Sequence, residues 1–276
     1  PKTKFVAIQN GIRANYSGYP SLGFFDQLSI AIKGEKLSAD HFCAFGDAAA
    51  AQISRYIQCE PISIGSLKNN LFVSPEITET ASYEVVLISQ YPPFSVQDES
   101  RRIYFGNYAI APADFYKVEA LAAKMIAEYC FRQNLTFAVC GKREGSSSNE
   151  YDFFDQAIGS LPWTYRSRTS SNSTYELSSA AKIVVSIDST VGQEFLARGK
   201  RVAVIAARTQ VADSVGLFNR KDTAFGYPLD FSPTGKFWTN EASEPELVRI
   251  LDYLQAVTDE EWATEIAPYN ESLMAY

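Results

Sequence analysis

The chain has 276 residues, 46% of them hydrophobic and 13% aromatic, and a formal net charge of −7. That is enough apolar material for one large core or two smaller ones, and no apolar run approaches the roughly 20 residues of a membrane span. Scattered Lys and Arg argue against nucleic acid as a partner, and a single histidine, His41, argues against a His-rich metal site or a Ser-His-Asp triad.

The first segments in chain order are strand-like FVAIQNG, strand-like HFCAFG, the helix candidate DAAAAQISRYI, and a short apolar stretch, PISIGS. They look like half of an α/β unit, and the start at Pro1, almost directly on KFVAIQN, suggests an N-terminal lobe lacking upstream residues. LFVSPEITETAS (71–82) mixes Pro, Ser and Thr with weak periodicity and is the expected linker. From Tyr83, strands and helices alternate: YEVVLISQY, PADFYKVEALAAKMIAEYCFRQN, LTFAVCGKR, NEYDFFDQAIG, STYELSSAA, KIVVSIDS, TVGQEFLARG and KRVAVIAAR. Alternation of this kind predicts a parallel sheet with helices on both faces. Pro112 should open one helix, and capping boxes are expected at Ser173-x-x-Glu176, Ser243-x-x-Glu246 and Thr258-x-x-Glu261. Gly199 should end the helix of the 190s. The expected fold is therefore α/β with two Rossmann-like lobes, 1–75 and 76–276, the second a doubly wound parallel sheet. Cys43, Cys59, Cys130 and Cys140 have no CxxC spacing and are expected to be reduced.

In such sheets ligands bind beyond the carboxyl ends of the strands. At one such end, SIDSTVGQEFLARGKRV (186–202), Ser189 and Thr190 would cap a helix aimed at an anion, Gly192 would admit a ligand closely, and Glu194 would meet a ribose diol. An ordinary capped helix whose glutamate complements the macrodipole would carry the same residues. FAVCGKREG (137–145) places Lys142 and Arg143 at a second end, able to neutralise a diphosphate or phosphodiester, with solvated surface charge as the alternative. A third end, VLISQYPPFSVQDES (86–100), carries Ser89, Gln90, Asp98 and Glu99, the two acids being candidates for a nucleophile or general base. In the front lobe, Gln9, Asn10 and Arg13 follow a strand and are the expected donor-sugar or acceptor contacts. Asp26 has no distinguishing context. The sequence contains no G-x-G-x-x-G, no P-loop and no D-x-D, which disfavours dinucleotide redox chemistry, P-loop ATPases and metal-dependent single-domain sugar transferases.

FVAIQNGIR, HFCAFGD, PISIGS, VVLISQY, CGKRE, the terminal TDEEW and above all VVSIDSTVGQEFLARGKRV resemble a family of bacterial surface-carbohydrate biosynthesis proteins that look like GT-B glycosyltransferases. The resemblance spans roughly 5 to 265, and its ST-x-G-x-E block is the most specific part. It is similar to the group of retaining transferases that move Kdo or related nonulosonic acids from CMP-activated donors. The resemblance implies CMP against the second lobe, with Ser189 and Thr190 at its phosphate, Glu194 at the ribose, and Lys142 and Arg143 as charge partners. It also implies an acid after the first strand of that lobe, in a Q-then-D-x-S pattern that Gln90, Asp98 and Ser100 approximate across a longer, Pro-rich loop; Asp98 would be the nucleophile and Glu99 its substitute. The implied activity is metal-independent transfer, without a cofactor, from a nucleotide-sugar donor to a glycan or glycolipid acceptor in lipopolysaccharide O-antigen or capsule assembly. A UDP- or GDP-sugar transferase, a polyol-phosphate transferase and a catalytically silent binding module are the competing readings. The expected location is cytoplasmic, with peripheral association to the inner membrane or to other glycan-assembly enzymes.

Overall fold

The computed structural model describes residues 3–11, 28, 32, 34–35, 37–72, 83–105, 108–144, 148–212, 225–226 and 229–276. The first unit contains β1 (Val6–Ile8), β2 (Leu37–Ala44), α1 (Asp47–Ile53), β3 (Ile57–Ser63) and α2 (Leu67–Leu71). Its strands are parallel in the order β1-β2-β3, with Val6 opposite His41 and His41 opposite Glu60.

The second unit begins with β4 (Val85–Ile88), a hairpin of β5 (Ile103–Phe105) and β6 (Tyr108–Ile110), α3 (Pro112–Phe115) and α4 (Lys117–Gln133). It continues through β7 (Phe137–Glu144), α5 (Ser148–Ile158), β8 (Thr164–Arg168), α6 (Ser173–Ala180), β9 (Ile183–Ser186) and α7 (Thr190–Ala197). It closes with β10 (Arg201–Ile205), α8 (Arg208–Ala212), β11 (Trp238–Thr239), α9 (Glu244–Ala256) and α10 (Asp259–Leu273). The six strands β11-β10-β9-β4-β7-β8 are all parallel. The chain thus leaves β4 toward β7 and β8, then returns to the other side of β4 through β9, β10 and β11. That is the Rossmann order, and its direction reverses between β4 and β9. VVLI of β4 and IVVS of β9 are buried throughout, as strands covered on both faces must be.

The expected α/β class with two parallel sheets is what the structure has. The 75/76 boundary and most of the expected linker fall within 73–82, outside the described residues. After α10 the chain returns to the first unit: Ala275 N–H donates to Phe45 O at 2.7 Å, and Met274 packs with Phe45 and Ala197. Gly65, at φ +70°, has Ala275 O 1.9 Å from where a Cβ would sit, so any side chain there would displace this return. Arg198, after α7, ties the units from the other side. Its Nε donates to Asn69 Oδ1 at 2.6 Å, its NH2 donates to Phe72 O at 2.7 Å and also to Asn69 O, and its guanidinium lies 4.7 Å from the Tyr276 ring. Arg198→Ala is expected to lower the unfolding free energy by about 2 kcal/mol, the loss of charged hydrogen bonds to half-buried acceptors, read by urea denaturation.

Local signals divide. Gly199 ends α7 in a Schellman turn at φ 78°, Lys200 N–H donating to Phe195 O at 3.0 Å and Gly199 N–H to Leu196 O at 2.9 Å. Thr258 and Glu261 form the expected capping box. The other two boxes do not form: the Ser173 hydroxyl accepts from Thr169 and Ser170 N–H in the preceding turn, and Ser243 makes no side-chain cap while Glu246 takes Arg249. DAAAAQISRYI stops as a helix at Ile53, because Ile57 starts a strand that pairs with β2 and absorbs the PIS of PISIGS. The helix opened by Pro112 breaks at Tyr116 into α3 and α4.

Candidate active site

The carboxyl ends of β4, β7 and β9 meet around the point where the sheet order reverses. From β9 the chain passes Ile187 and Asp188 to Ser189, whose Oγ caps α7 by accepting Val191 N–H at 3.3 Å. The first turn of α7 therefore presents the positive end of its dipole to the crevice beyond β4 and β9. The front lobe reaches the same place: a Cβ on Gly11, after β1, would lie 3.9 Å from Thr190 Oγ1. Gln9 holds that strand end, accepting Phe45 N–H at 2.9 Å and donating to Gly11 O at 3.0 Å. Asn10 beside it is exposed, and Arg13 lies outside the described residues, as does Asp26.

Lys142, at the end of β7, is half-buried and donates through Nζ to Gln90 Oε1 at 3.2 Å, joining the loop after β4. Burial, then the neighbouring Arg143 charge, pulls its pKa below the ordinary lysine value, while Asp188 opposes the shift. Arg143, whose buried Nε has no hydrogen-bond partner among the described residues, lines a cavity of about 210 Å³ with Tyr91, Pro92, Pro93, Phe94 and Asn149.

A buried carboxylate ties these strand ends together. Glu150, in the first turn of α5, accepts the Ser89 hydroxyl at 2.5 Å, Lys142 N–H at 2.9 Å and the Tyr165 hydroxyl at 3.0 Å. Ser89 at the end of β4, Lys142 on β7 and Tyr165 on β8 are thereby held in one frame. Gly141 is required here, since a Cβ would meet Tyr165 Oη at 2.4 Å. Burial and then the Glu150 charge raise the Tyr165 pKa, so this phenol remains a donor.

A second buried cluster lies behind Asp188. Arg208, at the start of α8 and 1% exposed, donates through Nε to Asp188 Oδ2 at 2.7 Å and through NH2 to Asp188 Oδ1 at 3.2 Å. Its other side donates to both oxygens of Glu119, on α4, and to Phe115 O at 2.8 Å. The guanidinium stacks 4.5 Å from the Phe115 ring.

Three of the expected site residues, Glu194, Gly192 and Ser89, are buried against other parts of the chain. Glu194 is 3% exposed and accepts the Tyr175 hydroxyl, itself buried. Gly192 packs on β9, where a Cβ would clash with the Ser186 side chain, so helix-on-strand contact alone requires a glycine. Ser89 is likewise buried, its hydroxyl divided between Glu150 and Tyr91 N–H. Asp98 sits in a turn, accepting Ser100 N–H at 3.1 Å, the Ser100 hydroxyl at 2.5 Å and Arg101 Nε at 3.0 Å. The Ser100 contacts first, then Arg101, hold its carboxyl below the ordinary range. Glu99 beside it is exposed, and its backbone oxygen accepts Arg102.

The model of a family described as "putative O-antigen biosynthesis protein" matches residues 6–276. The chain belongs to this family. No curated protein matches it. Among solved structures, the Glycosylation Associate Protein (Gap123) complex from Streptococcus agalactiae aligns at 11% identity over 83% of this chain and 40% of its own, with a TM-score of 0.46. TarM aligns at 12% identity over 96% of this chain and 47% of its own, with a TM-score of 0.45. The chain thus spans less than half the length of either structure.

In this O-antigen family member, Lys142 contacts Gln90 beyond β7 and β4, the Gly11 turn approaches Thr190 at the start of α7, and Ser89, Gly192 and Glu194 are buried. Sequence reasoning missed Glu119, Glu150, Asp188 and Arg208 as organisers of that crevice. One signal was present for Arg208: it follows β10 as Lys142 ends β7, at the same edge of the sheet. Among the described residues no helix is long and apolar enough to cross a membrane.

Proposed function

We propose that the protein is a glycosyltransferase of bacterial surface-polysaccharide assembly, lipopolysaccharide O-antigen or capsule, of GT-B type, which transfers Kdo or a related nonulosonic acid from a CMP-activated donor to a glycan or glycolipid acceptor. The observation that carries the reading is the approach of the front-lobe turn at Gly11 to the capped start of α7, beside the strand ends joined by Lys142 and Gln90, where the sheet order reverses. A CMP-nonulosonate brings a phosphodiester and a sugar carboxylate, for which Lys142 beside Gln90 and Arg143, next to it in β7, are the proposed cations. They neutralise the leaving phosphate without calling on a metal, and the start of α7 adds its dipole. The Glu194–Tyr175 pair sets the floor under the ribose, and Gln9 and Asn10 face the sugar from the other lobe. Membership of an O-antigen family supports an acceptor among surface glycans, and a glycolipid acceptor would bring the enzyme to the inner-membrane surface or to other assembly enzymes.

Asp98, a carboxylate at neutral pH, attacks the anomeric carbon as the bond to the CMP oxygen breaks; an acceptor hydroxyl then displaces the carboxylate with loss of its proton, giving net retention. Asp98→Ala is expected to keep nucleotide binding and lose turnover by at least about 10³-fold; unchanged turnover removes Asp98 from the mechanism and directs the same test to Glu99.

Thermal shift against CMP, CDP, UDP, GDP and ADP tests the donor class, since a ligand at 100 times its Kd stabilises by about 2.7 kcal/mol. Selective stabilisation by CMP is the expected result. Preference for UDP or GDP replaces the donor, no response to any nucleotide overturns the site, and binding without donor consumption makes the protein a silent binding module.

A further inference from the structure

We propose that Glu119, Arg208 and Asp188 are a proton-linked positioning unit, through which binding of a phosphate-bearing ligand at the start of α7 draws a proton onto Glu119. The inference rests on the nucleotide reading above and deepens it. Asp188 immediately precedes the residue that caps α7, and the two-point contact from Arg208 fixes its carboxylate, and with it the first turn of the helix. The same guanidinium holds Glu119. Both carboxylates therefore contact the one buried guanidinium.

The two acids differ in their access to water. Glu119 is fully buried at 0% exposure, whereas the Asp188 side chain is 18% exposed and faces the crevice. An anion added in front of Asp188 raises the negative potential on both, and the drier carboxylate is the one that takes a proton. Burial already pushes the Glu119 carboxyl up to about 7 against the pull of Arg208. The cluster lies within electrostatic reach of the crevice, because Asp188, Arg208 and Glu119 all bear on Lys142.

The ionisable groups around α4 that are coupled to this cluster include Tyr116 at its start, which Arg208, Glu119, Asp188 and Arg143 influence, and Arg143 and Lys142 on β7. On α5, Glu150 is bonded to Ser89, Lys142 N–H and Tyr165. Toward α9, Tyr129 pairs with Asp252 and Arg132 with Glu244, about 15 Å or more from Glu119 along α4.

The test is titration calorimetry of the full chain with CMP at pH 7 in two buffers of different ionisation enthalpy, for the wild type and Glu119→Gln. The wild type should take up at most about half a proton per CMP more than the variant, whose difference cancels the titration of CMP itself. Equal proton counts in the two proteins overturn the coupling and leave the nucleotide site standing. Failure of the wild type to bind CMP or any of the other four nucleotides overturns the functional reading and this inference together. If Glu119→Gln does not fold, infrared difference spectra of the wild type decide the matter: growth of a protonated-carboxyl C=O band on adding CMP supports the proposal, and an unchanged band overturns it.

Discussion

Arg208→Ala is expected to lower the unfolding free energy by about 3–5 kcal/mol, more than any other single replacement in the crevice. The side chain is 1% exposed and holds two carboxylates and a backbone carbonyl, so truncation leaves buried acceptors without their donor and a gap beneath the Phe115 ring. The loss should depend on pH, and its sign follows from Glu119. The folded protein holds the Glu119 proton up to about 7 against an ordinary 4.5, so this group's contribution to stability is full below about 4.5 and is lost as pH rises through 7. Without Arg208 the burial penalty on Glu119 is unopposed, and the deficit should be larger at pH 8 than at pH 5. Urea denaturation at the two pH values checks this; a deficit independent of pH would mean that packing on Phe115, rather than charge, sets it. Combining Arg208→Met with Glu119→Gln and Asp188→Asn should recover part of the stability, because the charges then leave together.

The fold was legible where burial on both faces forces continuous apolar runs. Val85–Ile88, Phe137–Cys140, Ile183–Ser186 and Arg201–Ile205 could be read as parallel strands because their runs are almost wholly apolar, as burial on both faces demands. The strand Thr164–Arg168 escaped, since TYRSR at the sheet edge is half exposed and has no apolar run. Trp238–Thr239 is only two residues long, and the Ile103–Phe105 hairpin is local rather than part of the main sheet. At the site, strand ends and the cap at Ser189 were visible because they are encoded by neighbours in sequence. Arg208 and Glu119 stand 89 residues apart, and Ser89 and Glu150 stand 61 apart, so their partnership exists only once the sheet is assembled. Glu150 was hidden in NEYDFFDQAIG, where an acid in a helical first turn reads as a solvated dipole partner. Glu194 was found, but its partner Tyr175 comes from another helix, and this turns an expected ligand contact into part of the wall.

Lys142→Met is expected to move stability and binding in opposite directions. Burial and the neighbouring Arg143 depress the Lys142 pKa, so the folded state carries this charge less readily than the unfolded chain does. Removing the ammonium while keeping the length of the side chain should therefore raise the Tm of the ligand-free protein slightly, the more so as pH falls and the charge is more fully expressed. The same change deletes the cation beside Gln90. A charged hydrogen bond to a phosphate contributes about 1.5–3 kcal/mol, so the Kd for CMP should rise roughly 10- to 100-fold. Lys142→Arg tests whether charge alone suffices; its planar fork cannot reproduce a point contact framed by Gln90 and the Glu150-held backbone, and it should recover only part of the affinity. Thermal melts of the ligand-free proteins alongside CMP titrations supply both readouts. A variant that melts lower and binds CMP as the wild type does would make Lys142 a structural residue and remove the cation on which the proposed leaving-group stabilisation depends.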